Sequence, residues 1–254
     1  MLAGDLKNLN ESRKEMTAQG VEKAIEQVES TSMMEDTVLV VFLPECHESL
    51  AGIIAGRLRE RYHKPSFVLT RGEDGVKGSG RSIEAYSMYE KLCECKEYLT
   101  KFGGHPMAAG LSLEEENVET FRRKLNERSG LSQEDLVEKV SIDVPMPIHY
   151  IRKDLVRELS LLEPFGKGNE KPLFAQKNLW ISQLRVFGKN RNVVKMRLTD
   201  ENGYPMDGVY FGDGDAFAEE ARGKQKIAIV YYPDINVYQG RESLQVIIRH
   251  YQFD

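Results

Sequence analysis

Residues 101–113, KFGGHPMAAGLSL, constrain what this chain can become more than any other stretch. Two adjacent glycines, a histidine, a proline and two alanines in succession suit neither an ordinary helix nor an ordinary strand. Gly103 and Gly104 can adopt backbone conformations closed to other residues, and without side chains they let a ligand lie directly on peptide N–H groups. His105 stands where a neutral donor or a cation is useful. Pro106 suits the first turn of a helix, so MAAG reads as a close-packed turn or helix start whose amides are open to an anion. A tight turn around a satisfied histidine fits the same residues, and the motif alone leaves both readings standing.

At 254 residues the chain is long enough for two ordinary domains, each with its own core. A hydrophobic content of 41%, a charged content of 30% and the lack of a membrane-length apolar run describe a soluble globular protein with no membrane partner. Met1 leads into a charged helical pattern rather than a signal peptide. Three cysteines, Cys46, Cys93 and Cys95, suit a reducing cytoplasm better than a disulfide framework, and Cys-x-Cys on a helical pattern sends its thiols to different faces, against a zinc site. The net charge of −5 argues against a protein coated in positive charge, but attraction for phosphate depends on where charge sits. Between Gln176 and Arg197 the sign reverses: Lys177, Arg185, Lys189, Arg191, Lys195 and Arg197 occur with no acidic residue among them.

Along the chain, Leu6, Leu9, Met16, Val21, Ile25 and Val28 recur at helical spacing and predict a long amphipathic N-terminal helix with no partner before it. Residues 37–43, TVLVVFL, read as a buried parallel strand. A loop then leads to a helix capped by Glu48 or Ser49 and running to about Tyr62, whose AGIIAG segment lets a backbone approach closely. With a second buried strand at 66–70 this makes a right-handed β-α-β unit, and ligands of such units gather at the strands' carboxyl ends, which puts His47 near any site. Residues 71–78 read as a polar turn delivering GSGRS (78–82) as a loop, in which Arg81, Ser79 and Ser82 either cradle a phosphate or form a solvated surface turn. A helix at 87–99, a strand at 110–113 and an amphipathic helix through Phe121 and Leu125, with Glu114, Glu115 and Glu116 at its positive end, complete the first domain.

The pattern then changes. Val140, Ile142 and Val144 alternate as a half-buried strand, 155–162 reads as a helix, and LEPFGKGN (162–169) as a rigid turn with a buried Phe165. Short antiparallel strands are predicted at about 178–187, 192–199, 204–211, 226–233 and 244–251, with a helix at 215–222, which suggests a small barrel such as the OB-fold.

In this order, His47 with AGIIAGRL (51–58), GSGRS (78–82), KFGGHPMAAGLSL (101–113), LEPFGKGN (162–169) and a terminal small barrel resemble the second half of the RecJ family, single-stranded-DNA-specific 5′-to-3′ exonucleases of the DHH phosphoesterase superfamily. The resemblance implies a connecting-helix remnant at 1–30, an α/β DHH-associated domain at 31–138 and a mostly β OB-fold barrel domain at 139–254. It also implies a missing DHH domain upstream. No Asp-His-His occurs here, and His47, His63, His105, His149 and His250 are scattered. Manganese or magnesium is thereby expected in the full-length enzyme and no metal on this chain, which alone would bind single-stranded DNA without cutting it.

The resemblance further implies that Ser79, Arg81 and Ser82 grip a terminal 5′ phosphate, that Gly103, Gly104 and His105 face the scissile phosphate, with His105 holding or polarising it, and that His47 lines the same cleft. Ser49 departs from the family, standing where its His-Glu-Gly or His-Gln-Gly has glycine. In the barrel, Arg185, Lys189, Arg191 and Lys195 would follow the strand, with Trp180, Phe187, Tyr210 or Tyr238 as stacking surfaces, while core positions are expected for Trp180 and Phe211. The implied setting is cytoplasmic DNA repair and recombination. Two other readings remain: a small-substrate DHH-type phosphodiesterase fragment, and a non-catalytic interaction module.

Overall fold

The protein is seen here as a computed structural model that describes residues 2–73, 75–166 and 168–254, with Leu2 and Ala3 as backbone; Met1, Asp74 and Lys167, each within a segment read above, lie outside the described residues. It divides into two compact units, one ending at Lys139 and one starting at Val140.

The first unit opens with α1 (Leu2–Glu29). The second half of this helix is held: Ala24 and Val28 are fully buried, and Gly20 brings its backbone so close that a Cβ there would stand 2.6 Å from Ile54 Cδ1. Ahead of Gly20 the helix leaves Leu6, Leu9 and Met16 exposed. Next come β1 (Leu39–Phe42), α2 (Glu48–Tyr62) and β2 (Ser66–Gly72), with β1 and β2 paired in parallel as predicted for a β-α-β unit. Then follow β3 (Gly75–Arg81), α3 (Met88–Glu94), β4 (Lys101–His105), β5 (Ala108–Leu113) and α4 (Val118–Glu127). The sheet order is β1-β2-β3-β5-β4, all pairs after the first being antiparallel. One face packs on α3 and α4 through Phe67, Leu69, Leu92, Phe121 and Leu125; the other packs on α2 through Leu39, Val41, Val68, Ile54 and Leu58.

Two glycine-rich stretches differ from their predicted form. GSGRS is not a loop: residues 78–81 lie inside β3, between β2 and β5. Gly78 and Gly80 are there for packing, since a Cβ on Gly78 would stand 2.3 Å from Leu69 Cδ2, and one on Gly80 2.5 Å from Met88 Sδ and 2.6 Å from Phe67. Nor does KFGGHPMAAG start a helix. It is the hairpin β4–β5, closed by Pro106 and Met107, whose carbonyls accept the N–H groups of Met88 and Ser82 at 3.0 and 2.9 Å. Gly104, at φ +149°, is required, because a Cβ would fall 2.4 Å from the Ala108 carbonyl oxygen.

The second unit contains β6 (Val144–Pro145), α5 (Lys153–Ser160), β7 (Phe174–Phe187), β8 (Val193–Thr199), β9 (Pro205–Phe211), α6 (Gly214–Glu220), β10 (Lys226–Tyr238) and β11 (Arg241–Phe253). The ladder runs β7-β8-β9-β11-β10 and returns to β7, a closed ring of five strands with β6 beside β7. The β9–β11 pair is parallel, not antiparallel as predicted, and β6 also runs parallel to β7. Helix α6 covers the ring with Phe217, fully buried against Tyr210, Tyr251 and Phe253. The alternation at 140–144 yields only a two-residue strand with Val144 exposed, and Phe165 is half-buried, with Lys171 Nζ 5.4 Å from its ring centre.

Asp200 ties this unit together. Its buried carboxylate accepts the N–H groups of Asn202 and Tyr204 at 3.0 and 2.8 Å, and His149 Nδ1 donates to it at 2.8 Å. Burial pushes its pKa up, but the Tyr204 N–H, His149 and the Asn202 N–H together hold it below the ordinary aspartate value. A carboxyl depressed in the folded state stabilises fully above its unfolded pKa, about 3.9, and loses that contribution as pH falls through the folded value. Asp200→Ala is therefore expected to cost about 1–3 kcal/mol in urea melts at pH 7, the gap from the parent shrinking as the pH is taken below about 3.9. In the first unit, Gly80→Ala should cost about 1–3 kcal/mol because rigid neighbours must move, whereas Gly56→Ala, with nothing within 4 Å of the added Cβ in mid-α2, should gain about 0.5–1 kcal/mol in the same assay.

Candidate functional site

The phase of β3 decides where its polar groups go. With Val76, Gly78 and Gly80 turned to the α3/α4 core, strand alternation sends Lys77, Ser79 and Arg81 to the α2 face. The register continues this across the sheet: Lys77 is opposite Ser112 and Ser112 opposite Lys101; Ser79 meets Gly110 and Gly110 meets Gly103; Arg81 meets Ala108 and Ala108 meets His105. Three parallel rows result, floored by glycine, alanine and serine. No side chain stands within 4 Å of where a Gly103 Cβ would be, and over Gly110 only the Gly78 carbonyl comes as near as 3.8 Å.

Helix α2 walls this floor. Its N-cap is His47, not Glu48 or Ser49 as predicted; the ring Nδ1 accepts the Ser49 N–H at 3.2 Å and lies 2.8 Å from Ser49 Oγ. An accepting Nδ1 leaves the proton of the neutral ring on Nε2. One turn on, Gly52 lies against the guanidinium: a Cβ there would stand 2.8 Å from Arg81 Nη2 and 3.0 Å from Ser79 Oγ. The resulting cleft, about 460 Å³, is lined by Glu48, Ser49, Lys77, Ser79, Lys101 and Ser112 among others; Arg81, Gly103 and His105 are not in its lining, and the Arg81–His105 row follows that of Ser79 and Gly110 along the sheet.

The charges here are unevenly matched. Arg81 Nη1 donates to Ser79 Oγ at 3.2 Å and to the Gly80 carbonyl at 2.7 Å, and among the described residues no carboxylate pairs with it. Lys77 meets Glu48 at 2.8 Å, and that hydrogen bond is the chief cause holding the Glu48 carboxyl below its ordinary range. Lys101 and His105 are exposed, and neither side chain has a hydrogen bond or ion pair among the described residues. An oriented guanidinium, a hydroxyl and a helix N-terminus thus surround a floor of glycine and small side chains, groups whose chemistry suits an anion.

Two sequence-predicted residues stand elsewhere. Ser82 is buried and donates to the Tyr86 carbonyl at 2.5 Å, holding the turn after β3. His47 borders a different cavity of about 240 Å³, beside Met16, Lys23 and Cys46, and reaches the main cleft only through Ser49. Residues the sequence reading passed over, Lys77, Lys101, Ser112 and Gly52, become visible once 75–81 and 101–113 are taken as strands, because period-two alternation then groups them with Ser79, Arg81 and His105.

In the second unit the outward face of β7, β8 and β9 carries Phe187 opposite Val193 and Val193 opposite Phe211, with the Arg185–Lys195 pair in the next row. Two like charges directly opposite repel, a cost an anion would relieve. Lys189 is exposed in the β7–β8 loop, whereas Arg191 is committed to Asp215 by bonds of 2.6–2.8 Å. Trp180 and Phe211 are not in the core but 44% and 60% exposed, alongside Phe187 at 44% and Tyr238 at 68%, while Tyr210 is half-buried in the aromatic cluster around Phe217. Lys226 Nζ lies 4.7 Å from the Trp180 ring centre. Among the described residues no three His, Cys, Asp or Glu side chains gather where they could hold a metal ion, and no helix is long and apolar enough to cross a membrane.

Comparison with known proteins places this geometry. One family model, described as the DHHA1 domain, matches residues 35–130, and another, described as the RecJ OB domain, matches 142–250. The single-stranded-DNA-specific exonuclease RecJ of Bacillus subtilis (strain 168) is 34% identical over 252 residues, which cover 98% of this chain and 32% of that protein. For the RecJ of Escherichia coli (strain K12) the figures are 33% over 260 residues, 98% and 44%. The chain therefore spans less than half the length of these relatives. The crystal structure of RecJ in complex with Mg2+ from Thermus thermophilus matches with a TM-score of 0.81 at 25% identity, over 99% of this chain and 37% of that one, and the Mn2+ complex matches equally well. With both units matched by such domain models and nearly its whole length aligned to RecJ proteins, the chain belongs to the RecJ family, of which it carries the DHH-associated and OB domains.

Proposed function

We propose that this chain is the strand-binding half of a 5′-to-3′ single-stranded-DNA exonuclease of cytoplasmic DNA repair and recombination, whose hydrolysis belongs to a DHH domain beyond this chain. The observation that carries the reading is the Arg81 guanidinium, held by the Gly80 carbonyl and by Ser79, which lines the cleft, with no carboxylate partner among the described residues. A terminal phosphate is a dianion with oxygens in the geometry a guanidinium fork accepts, so Arg81 and Ser79 take the 5′ end and set polarity. Gly103 lets the next phosphate lie close to the backbone, and His105, exposed at the end of the same hairpin strand, holds or polarises it; Gly104, closed off by Ala108 and Ala109, shapes the hairpin that presents them. Ser82 and His47 act one step back, fixing the turn after β3 and the orientation of Ser49.

The RecJ of Thermus thermophilus has been solved with Mg2+ and with Mn2+, and the described residues here offer no cluster to hold such ions. The metals and the water they activate belong, in this reading, to the DHH domain. The second unit follows the strand with Arg185, Lys189 and Lys195 and stacks bases on Phe187, Phe211, Trp180 or Tyr238; Arg191 instead braces the β7–β8 loop through Asp215.

Arg81→Ala is expected to weaken binding of 5′-phosphorylated oligothymidine more than of the 5′-hydroxyl form in fluorescence titrations, and Gly52→Ala to do the same to a smaller extent by displacing the guanidinium; equal losses for both ends would remove the pocket. Phe187→Ala should cost about 1–3 kcal/mol in binding a longer strand and leave the preference for a 5′ phosphate intact. Release of nucleotides by this chain with manganese would overturn the assignment of hydrolysis to another domain.

A further inference from the structure

Of the residues assigned to the terminal and scissile phosphates the cleft's lining includes Ser79, and from there it runs along the sheet away from the Arg81–His105 row. Its far row is Lys77, Ser112 and Lys101, in register across β3, β5 and β4, and all three line the cavity. Lys77 is neutralised by Glu48 on the α2 wall. Lys101 is left as the exposed cation of that row, with no carboxylate partner among the described residues, and the Ser112 hydroxyl faces the same space.

Side chains on one sheet face repeat every second residue, about 6.8 Å along the strand. Successive phosphates of an extended single strand follow one another at a similar interval. Starting from Ser79 and Arg81, a strand crosses the open floor at Gly110 to reach Gly103, and one further row along β4 brings it to Lys101. We infer that Lys101, assisted by Ser112, is a third phosphate subsite, gripping the phosphate that follows the scissile one on the remaining strand. The ligand class is thereby narrowed to a 5′-phosphorylated strand of at least three nucleotides, as distinct from a mononucleotide or dinucleotide. This inference rests on the reading of Arg81 and Ser79 as the 5′-phosphate pocket.

The test compares 5′-phosphorylated di- and trithymidylate, carrying two and three phosphates, on this chain and on Lys101→Met. The parent should bind the trinucleotide roughly tenfold more tightly than the dinucleotide, the gain of one charge-assisted contact. Lys101→Met should erase most of that gain and leave dinucleotide affinity unchanged. It should also reduce the slope of log K against log salt for the trinucleotide by about 0.7, a readout that a merely structural lysine would not move. Urea melts matching the parent would show the variant folded. Equal affinity of the parent for both ligands, or an equal loss on both in Lys101→Met, overturns the third subsite; if Arg81→Ala still abolishes the preference for a 5′ phosphate, the pocket itself stands. No binding of either oligonucleotide by the parent overturns both.

Discussion

The structure depends on the side-chain phase of one central strand. β3 sits between β2 and β5, and its two inward glycines are the only way that strand can pass beneath Leu69, Phe67 and Met88 without collision. Because strand side chains alternate, fixing Gly78 and Gly80 inward fixes Lys77, Ser79 and Arg81 outward, and a slip of one residue would bury three polar groups in the α3/α4 core. Packing on one face therefore dictates chemistry on the other. The hairpin β4–β5 inherits the same phase through its register with β3, so that Gly103 and His105 fall in line with Ser79 and Arg81 without any direct contact between them.

Helix α2 converts this aligned face into a cleft. Its apolar side, Leu50, Ala51, Ile54, Ala55 and Leu58, is buried, which anchors the helix over one end of the sheet and leaves β5 and β4 uncovered on that face. The small residues of AGIIAG serve two different ends. Ala51 and Ala55 pack into the core, whereas Gly52 makes room for a guanidinium that a methyl group would push aside. His47 completes the helix by capping its first turn, a structural duty that also explains Ser49: the hydroxyl and N–H of that residue are the two groups the imidazole touches.

Much of this was legible in the residues. The apolar run at 37–43, the β-α-β unit, the long first helix and the later succession of strands around α6 all follow from period and turn chemistry. What failed was the interpretation of glycine. In GSGRS and KFGGHP the glycines read as freedom, hence loops, but in the folded chain Gly78 and Gly80 are demanded by large neighbours distant in sequence, and no local pattern announces Leu69 or Met88. Once that is known the strands are evident, and the alternation picks out Lys77 and Lys101. Trp180 and Phe211 misled for a related reason: apolar bulk predicts burial on average, but a closed five-strand ring has an outer face, and which residues lie there depends on register and on the irregularity between Ser182 and Arg185.

The charge distribution gives the last step. A net charge of −5 would repel a polyanion if it were spread evenly, yet several cations are already spoken for: Arg71 by Glu115, Arg122 by Asp36 and Glu119, Arg128 by Glu97 and, on the outward face of β8 itself, Arg197 by Asp207. Such pairs are nearly neutral beyond a Debye length of about 8 Å at physiological salt, so they neither attract nor steer a strand. Arg81 and Lys101 on the sheet face under α2, with Arg185, Lys189 and Lys195 on the outer face of the second unit, have no carboxylate partner among the described residues, so their positive field is not cancelled at close range. Attraction built this way is local, screened by salt and indifferent to the total charge, which is why a net charge of −5 does not decide what a surface of uncancelled cations can bind.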